Sequence, residues 1–141
     1  MLTDSEILRR HQRGSTFKVV PAIDWRATLR LRSNIMVAGP QDALDAFLEA
    51  AQPELREPIR SANASLPPTL DGIRTLVLTD VDRLDSTDQR RLRDWFDQNR
   101  NNGVQVVALT TMPLYSLVTA NAFDTNLYYR LNTIFLEIQA I

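Results

Sequence analysis

The feature of the sequence that most restricts its fold is the alternation of short apolar runs with segments of helical periodicity. The run VQVVAL at 104–109 lies between a glycine and a pair of threonines, which is typical of a buried strand. In 42–51, by contrast, apolar residues recur at helical spacing. This alternation predicts an α/β fold, a three-layer α/β/α sandwich around a mainly parallel five-stranded sheet. The predicted strands are 34–38, 58–62, 75–79, 104–109 and 133–138, and the predicted helices are 42–51, 86–99, 114–121 and 126–131.

Length and composition exclude several classes of protein. With 141 residues and 44% hydrophobic residues, the chain is long enough for one domain with its own core. It contains no cysteine, which excludes disulfide scaffolds, thiolate metal sites and cysteine nucleophiles. A single histidine, His11, argues against a histidine metal site or a histidine-based triad. The sequence therefore predicts no metal site.

The first 33 residues are basic, whereas the rest of the chain is acidic. Residues 1–33 hold seven basic and three acidic side chains, so their net charge is 7 − 3 = +4. We expect 1–33 to form a solvated basic arm, or short helices packed on an α/β domain at 34–141. Residues 5–12 could form a short helix, and residues 24–32 form either a short helix or an extended lead-in. Nucleic-acid binding through 1–33 stays open as an alternative. The sequence shows neither a targeting segment nor an apolar run of membrane-spanning length, which predicts a cytoplasmic protein without membrane contact.

Gly39 marks the first candidate site, because it follows an apolar run and precedes a helical segment. Ligands bind to parallel sheets of this kind beyond the carboxyl ends of the strands. A phosphate-binding Walker A loop reads G-x-x-x-x-G-K-[ST]. Counted from Gly39, its second glycine falls on Leu44, its lysine on Asp45 and its hydroxyl on Ala46. The only lysine of the chain, Lys18, lies upstream of the first predicted core strand and cannot take that place.

Two further strand ends carry polar residues. The run 76–78 ends at Thr79 and Asp80, where a Walker B strand would carry two acidic residues that order Mg²⁺ and polarise water. Thr110 follows the run at 104–109, and a hydroxyl there can contact a phosphate or form a simple turn. Gly39, Asp80 and Thr110 are therefore the candidate nucleotide-binding residues, with an acidic loop after a buried strand as the alternative interpretation of Asp80.

The stretch 116–132 reads SLVTANAFDTNLYYRLN and is similar to the motif A-L-V-x-x-G-x-F-R-x-D-L-Y-Y-R-L-N. That motif is the most specific reason why residues 34–138 resemble the AAA+ core of bacterial sigma-54-dependent transcriptional activators. The segment 75–84 (TLVLTDVDRL) resembles its Walker B segment, 104–111 (VQVVALTT) resembles its sensor I strand, and 58–65 (PIRSANAS) resembles P-F-V-A-V-N-C more weakly. Gln89 and Leu92 fall where the next family helix has Q and L. The resemblance implies a P-loop NTPase fold.

The family hydrolyses ATP between the subunits of a ring and remodels RNA polymerase that contains sigma-54, and this sequence departs from most of the parts that do so. It has Thr79 where the metal-ordering acid belongs and Thr111 at the sensor asparagine. Of two arginines that act across the subunit interface, the first is Asp124 and only the second, Arg130, remains. The G-A-F-T-G-A loop that touches sigma-54 is missing between the two Walker positions. After TIFLEI we also expect no C-terminal helical lid or helix-turn-helix domain.

These departures predict a non-hydrolysing regulatory or interaction module in transcription, with no cofactor. Its expected partner is a protein, either an intact AAA+ subunit or a second copy. The alternative is a weak ATP–Mg²⁺ binder that uses Gly39, Asp80 and Thr110. If any catalytic residues survive, the resemblance assigns Asp80 as a Walker B acid and Arg130 as a residue that resembles an arginine finger, with a structural ion pair as the other interpretation of Arg130.

Overall fold

The sheet has six strands in the order β1–β6–β2–β5–β4–β3. The computed structural model describes residues 17–65, 70–98 and 103–141. All neighbouring strands are parallel except β1, which is antiparallel to β6. The strands are β1 (Phe17–Val20), β2 (Ile35–Ala38), β3 (Ile59–Asn63), β4 (Thr75–Thr79), β5 (Gln105–Thr110) and β6 (Ile134–Ala140).

Within the described residues, five α-helices and two short 3₁₀ turns connect the strands. Asp24 caps the first helix by accepting a hydrogen bond from the Ala27 N–H, and Asp85 accepts one from the Asp88 N–H, as expected of acidic residues at helix N-termini. The helices are α1 (Trp25–Arg30), α2 (Gln41–Ala51), α3 (Ser86–Gln98), α4 (Leu114–Thr119) and α5 (Thr125–Leu131), and the 3₁₀ turns are Gln52–Glu54 and Val81–Arg83. Among the described residues, no helix is long and apolar enough to cross a membrane.

Apolar side chains alternate between the two faces of the sheet and form two core layers. On one face, α1 and α2 pack on strand residues such as Val37, Val107 and Leu136. On the other face, α3, α4 and α5 pack on strand residues such as Met36 and Leu76. The prediction of a three-layer α/β/α sandwich with a mainly parallel sheet is confirmed.

The predicted count of five strands is wrong, because residues 17–20 add a sixth strand at the sheet edge. Phe17 is buried and its ring contacts the rings of Trp25 and Phe47, with centroids 5.7 and 5.6 Å apart. Leu29 of α1 is fully buried in the same cluster. No packing gap therefore separates residues 17–33 from the α/β domain. The charged residues around this short strand hide its pattern, since only Phe17 and Val19 face the core.

Some sequence predictions fall on residues outside the described ranges. These are the helix at 5–12, the first half of the basic arm, and the end of the helix predicted at 86–99, of which residues 86–98 are helical. The predicted bounds of the other elements differ from those observed by at most two residues at each end.

Candidate nucleotide-binding edge of the sheet

The carboxyl ends of β2, β4 and β5 bring Gly39, Asp80 and Thr110 to one edge of the sheet. Ala38 pairs with Thr110 across β2 and β5, and the Gly39 N–H donates to the Thr110 carbonyl at 3.2 Å. Asp80 directly follows β4, which pairs with β5. The three candidate residues thus share one edge, as the alternation of strands and helices predicts.

Gly39 lies against the backbone of β6. A Cβ atom added at this position would lie 2.5 Å from the Ile138 carbonyl oxygen and 2.6 Å from its Cγ1 atom. Neither distance is tolerable for a real Cβ atom, so this position requires glycine. The close approach of two strands accounts for Gly39 without any ligand.

The connection from β2 to α2 contains only Gly39 and Pro40, because α2 begins at Gln41. The first turn of this helix already holds an anion, since the Asp42 carboxylate accepts a hydrogen bond from the Ala43 N–H at 2.9 Å. A negative charge at a helix N-terminus is favourable. It also engages one of the backbone N–H groups with which a phosphate at this helix start would bond.

Asp45 does not occupy the place that an ungapped count of the Walker A motif assigns to it. It lies in the second turn of α2, where it is exposed and accepts a hydrogen bond from Gln41 Nε2 at 2.8 Å. Residues 41–44, which the count places in a loop, are helical. The physical reason is chain length, because a two-residue connection cannot wrap a phosphate group before the helix starts.

The Thr110 side chain is buried and satisfied within the protein. Its Oγ1 atom lies 2.8 Å from the Met112 carbonyl oxygen and 3.3 Å from Asp82 Oδ1, and it accepts the Met112 N–H at 3.3 Å. Only 1% of Thr110 is exposed. This hydroxyl therefore stabilises the turn after β5 and is not presented to solvent.

Asp80 has a left-handed backbone, with φ = 52° and ψ = 43°. Aspartate tolerates this region better than most residues because its short side chain can bond locally. The Asp80 carbonyl accepts the Arg83 N–H at 2.9 Å and so starts a 3₁₀ turn. The preceding Thr79 places its hydroxyl 3.4 Å from the Ala62 carbonyl oxygen. Both residues have structural roles in the turn after β4.

Arg130 lies at the opposite edge of the sheet from these three residues. It borders a cavity of about 560 Å³ that the amino ends of β2 and β5 also line. Its guanidinium pairs with Asp97 at 2.5 Å and lies 6.0 Å from the centre of the Phe96 ring. Within this chain Arg130 joins α5 to α3.

A polar network around Gln89 holds α3 and α5 together. Gln89 is 6% exposed, and its Nε2 donates to the carbonyls of Leu84 and Ala122 at 2.9 and 3.2 Å. Its Oε1 accepts the Asp124 N–H at 2.8 Å. The Asp124 carboxylate in turn caps α5 through the Leu127 N–H and pairs with Arg93, both at 2.8 Å.

Sequence reasoning noted Gln89 and Asp124 but not what they do. Asp124 directly precedes a helical segment, and an aspartate in that place is a capping signal available in the sequence. Asp42 carried a similar signal, since an acidic residue in a first helical turn is a stabilising pattern. Gln89 gave no comparable signal, because its three partners come together only in the folded chain.

Three of the four basic residues that the structure describes in 17–33 contact the end of α2 and the turn that follows it. Arg30 Nε donates to Glu54 Oε2 at 2.7 Å, Arg26 Nη1 donates to the Ala50 carbonyl at 3.1 Å, and Arg32 Nη1 donates to the Glu54 carbonyl at 2.6 Å. The hydrogen bond from Arg30 holds the pKa of the Glu54 carboxyl below its ordinary value, and the same bond raises the pKa of Arg30. These arginines therefore serve the fold, because cations are stabilising near helix C-termini.

An open groove of about 530 Å³ lies beside Gly39, between β6 and the turn that follows β5. Its apolar walls come from Pro40, Met112, Pro113 and Phe135, and Glu137 contributes a carboxylate. The groove is therefore apolar with an acidic side chain, whereas a nucleotide phosphate calls for N–H groups and cations.

Solved structures with this fold include the NtrX protein from Brucella abortus. The complex of NtrX with ATP matches 95% of this chain with a TM-score of 0.59 at 20% identity, and the complex with ADP matches 97% with a TM-score of 0.65 at 16% identity. This chain covers 39% and 42% of those NtrX chains, so it spans about two fifths of their length. None of the curated proteins compared with the sequence matches it.

A family model described as the sigma-54 interaction domain matches residues 48–141. The match starts downstream of residues 39–46 and contains β3 to β6 with their connecting helices. It covers two thirds of the chain, including the network around Gln89 and the 116–132 stretch on which the resemblance rests. The chain belongs to the sigma-54 interaction domain family.

Proposed function

We propose that this domain is a non-hydrolysing regulatory module of sigma-54-dependent transcription, in the cytoplasm, that acts through protein contacts and not through ATP turnover. The observation that carries the proposal is the start of α2. A two-residue connection leads directly into a helix whose first turn holds the Asp42 carboxylate. A triphosphate there would meet a negative charge where phosphate-binding loops offer N–H groups and a lysine.

The other candidate nucleotide-binding residues support the same conclusion. Gly39 is required by the approach of β6, and the Thr110 hydroxyl is bonded internally. Asp80 starts a 3₁₀ turn, with Thr79 at the position of a metal-ordering acid. The side chains at this edge therefore offer ATP and Mg²⁺ neither a lysine nor a free hydroxyl, which supports a module that does not use Asp80 as a catalytic acid.

Titration calorimetry with ATP and Mg²⁺ tests the first part of the proposal. We expect no saturable binding tighter than about 100 µM, which corresponds to about −5.5 kcal/mol. A matched variant, Asp45→Lys with Ala46→Ser, supplies the lysine and the hydroxyl of the Walker A motif without lengthening the loop. We expect it not to bind either, because residue 45 lies in the second turn of α2. Saturable binding by the natural chain would refute the proposal, and binding by the variant alone would refute its dependence on loop length.

The partner we propose is an intact ATP-binding subunit of a sigma-54 activator. The family match supports this choice, because the matched residues 48–141 contain helices α3 and α5, which the Gln89 network holds together. In the experiment this chain is added to an intact activator core. The ATPase rate of the mixture is measured in an activity assay, and the mass of the complex is measured by light scattering. We expect a mixed complex with an altered ATPase rate. Unchanged mass and rate at a large excess of this chain would contradict the proposal.

A further inference from the structure

The amino ends of the parallel strands border two adjoining cavities. The first, of about 560 Å³, is the cavity beside Arg130, and Asn34 and Val104 line it directly before β2 and β5. The second, of about 380 Å³, is lined by Arg74, which directly precedes β4. Trp95 and Val104 line both cavities, so the two form one cleft along this edge of the sheet, which we call the amino-edge cleft.

The charged residues of the amino-edge cleft are mostly cationic. Arg32 and Arg130 line the first cavity, and Arg56 and Arg74 line the second. Asp71 is the only acidic residue among the described residues that line the two cavities. Four arginines against one aspartate are a marked local excess in a chain whose net charge is −1. The cleft therefore attracts anions, and it lies at the edge opposite to the predicted nucleotide site.

Backbone carbonyls hold two of these arginines in place. Arg32 Nη1 donates to the Glu54 carbonyl at 2.6 Å, and Arg56 Nη2 donates to the Gly103 carbonyl at 2.5 Å. Each bond engages one of the five N–H donors of a guanidinium and fixes the direction of the group. The Nε atom of Arg56 is buried and has no hydrogen-bond partner among the described residues. Guanidinium groups held in this way lose little freedom when they bind an anion.

The contact of Arg130 indicates which anion this edge accepts. Its Nη2 donates to Asp97 Oδ1 at 2.5 Å, so a carboxylate already meets a guanidinium at the border of the cleft. Arginine binds carboxylates through a planar fork of N–H groups that matches the two carboxylate oxygens. The exposed Arg74 offers the same fork to the carboxylate of another molecule.

The walls between the arginines are apolar. Trp95 and Phe96 are half-buried, with their ring centroids 5.2 Å apart and their planes at 58°. Two rings that lean on each other form a wall for an aliphatic side chain, whereas stacked bases need open and separate ring faces. Val104 and Ile73 continue this wall into the second cavity. The cleft thus favours a peptide over a single-stranded nucleic acid.

We propose that the amino-edge cleft binds an acidic segment of a partner protein, with carboxylates on the arginines and an aliphatic side chain against Trp95 and Phe96. Complementary charge selects the segment, and the apolar wall fixes its register. The inference goes beyond the proposed function. It holds whether or not an activator subunit is the partner, and whether or not the domain binds ATP.

Fluorescence anisotropy with a defined probe tests the proposal. The probe is a blocked, fluorescein-labelled peptide with the sequence EELDLEE, which is titrated with the full-length chain at low ionic strength. We expect saturable binding that weakens as salt is added, because ion pairs at an open cleft are screened. The neutral peptide QQLNLQQ should bind at least about tenfold more weakly. Equal binding of the two peptides, or no saturable binding of the acidic one, would overturn the proposal.

Charge reversal locates the binding site. Arg74→Glu changes an exposed side chain of the cleft and should raise the Kd of the acidic peptide about tenfold. Arg83→Glu makes the same change at an exposed arginine of the opposite edge and should leave the Kd within about twofold. The two variants carry the same net charge, so a general effect of charge would weaken both equally. Equal Kd values for the two variants would contradict the cleft as the site.

The indole signals of the natural chain give a readout that needs no variant of the cleft. The chain contains two tryptophans, Trp25 and Trp95. Trp95 lines the cleft, whereas Trp25 packs on Phe47 on the α1–α2 side of the sheet. In isotope-labelled protein, the acidic peptide should shift the indole N–H resonance of Trp95 and leave that of Trp25 unchanged. A Trp95 resonance that stays in place at saturation, or a shift of both resonances, would overturn the proposal.

A competition experiment distinguishes the peptide from a single-stranded nucleic acid. The competitors are the unlabelled acidic peptide and an oligothymidylate of about eight nucleotides. We expect the oligothymidylate to displace the probe only at concentrations at least about tenfold above those of the unlabelled peptide, because the tilted rings offer no stacking faces. Displacement at equal or lower concentrations would assign the cleft to nucleic acid and would overturn the proposal.

Discussion

Replacing Gln89 by leucine should destabilise the domain more than any exposed substitution on the same helix. The change keeps the side-chain volume roughly the same but removes one hydrogen bond that Gln89 accepts and two that it donates. The carbonyls of Leu84 and Ala122 and the N–H of Asp124 then lose the partners that lie 2.9, 3.2 and 2.8 Å away. All three partners belong to the backbone, and they join the start of α3 to the start of α5.

The expected loss in the free energy of unfolding is about 3 kcal/mol. An unsatisfied buried polar group costs about 1–3 kcal/mol. The lower value applies here, because the surroundings of Ala122 and Asp124 are only partly buried and water can reach them after a small movement. A domain of this kind is stable by about 5–15 kcal/mol, so the loss would be a large fraction of the total.

Urea unfolding followed by circular dichroism measures this loss. With a slope of about 2 kcal/mol per M, the midpoint should fall by about 1.5 M. Gln98→Leu is the matched control, since it makes the same change at an exposed position of α3 and should stay within about 0.5 kcal/mol. Equal midpoints for the two variants would refute the argument that the Gln89 network holds the helices together.

Three further changes follow from contacts of the same structure. Gly39→Ala should cost about 1–3 kcal/mol in urea unfolding, because its Cβ atom would force β2 away from β6, and an unchanged midpoint would count against this packing role. Asp124→Ala should cost about 1–2 kcal/mol because it removes a helix cap, whereas Arg93→Ala, which removes only a part-exposed ion pair, should cost less than about 1 kcal/mol. The reverse order would contradict the cap assignment. Glu54→Gln tests pH dependence. Because the hydrogen bond from Arg30 lowers the pKa of the folded carboxyl, its contribution to stability is present above the pKa of an unfolded glutamate, about 4.3, and is lost as pH falls through the folded value. Thermal unfolding of the natural chain and the variant should therefore converge at low pH, and a constant difference would refute the assignment.

Sequence reasoning predicted the layers well because they depend on periodicity. Strands such as 75–79 and 105–110 are buried on both faces and read as continuous apolar runs. The same reasoning missed β1, whose residues alternate between the core and solvent over only four positions. A pattern of that length is too short to be distinguished from a polar arm.

At the candidate site, the sequence predicted which residues would lie at the same edge of the sheet, but not which contacts each of them makes. Gly39, Asp80 and Thr110 share an edge because parallel strands end together. Gly39 contacts β6, and the Thr110 hydroxyl bonds to the Met112 carbonyl. Both contacts depend on the tertiary structure, and no local sequence pattern predicts them. The residue-by-residue comparison with the Walker A motif misplaced Asp45 for a related reason. It assumed that residues 41–44 form a loop, and only the structure shows that the helix α2 already begins at Gln41.

The short connection between β2 and α2 also has an evolutionary consequence. A lysine or a hydroxyl can be introduced at a given position by nucleotide substitutions, but a two-residue connection can be lengthened only by an insertion in the backbone. Point mutation alone therefore offers this lineage no gradual route back to a phosphate-binding loop. The exposed Asp45 therefore answers mainly to the stability of α2, whereas Ala46 also packs against the core.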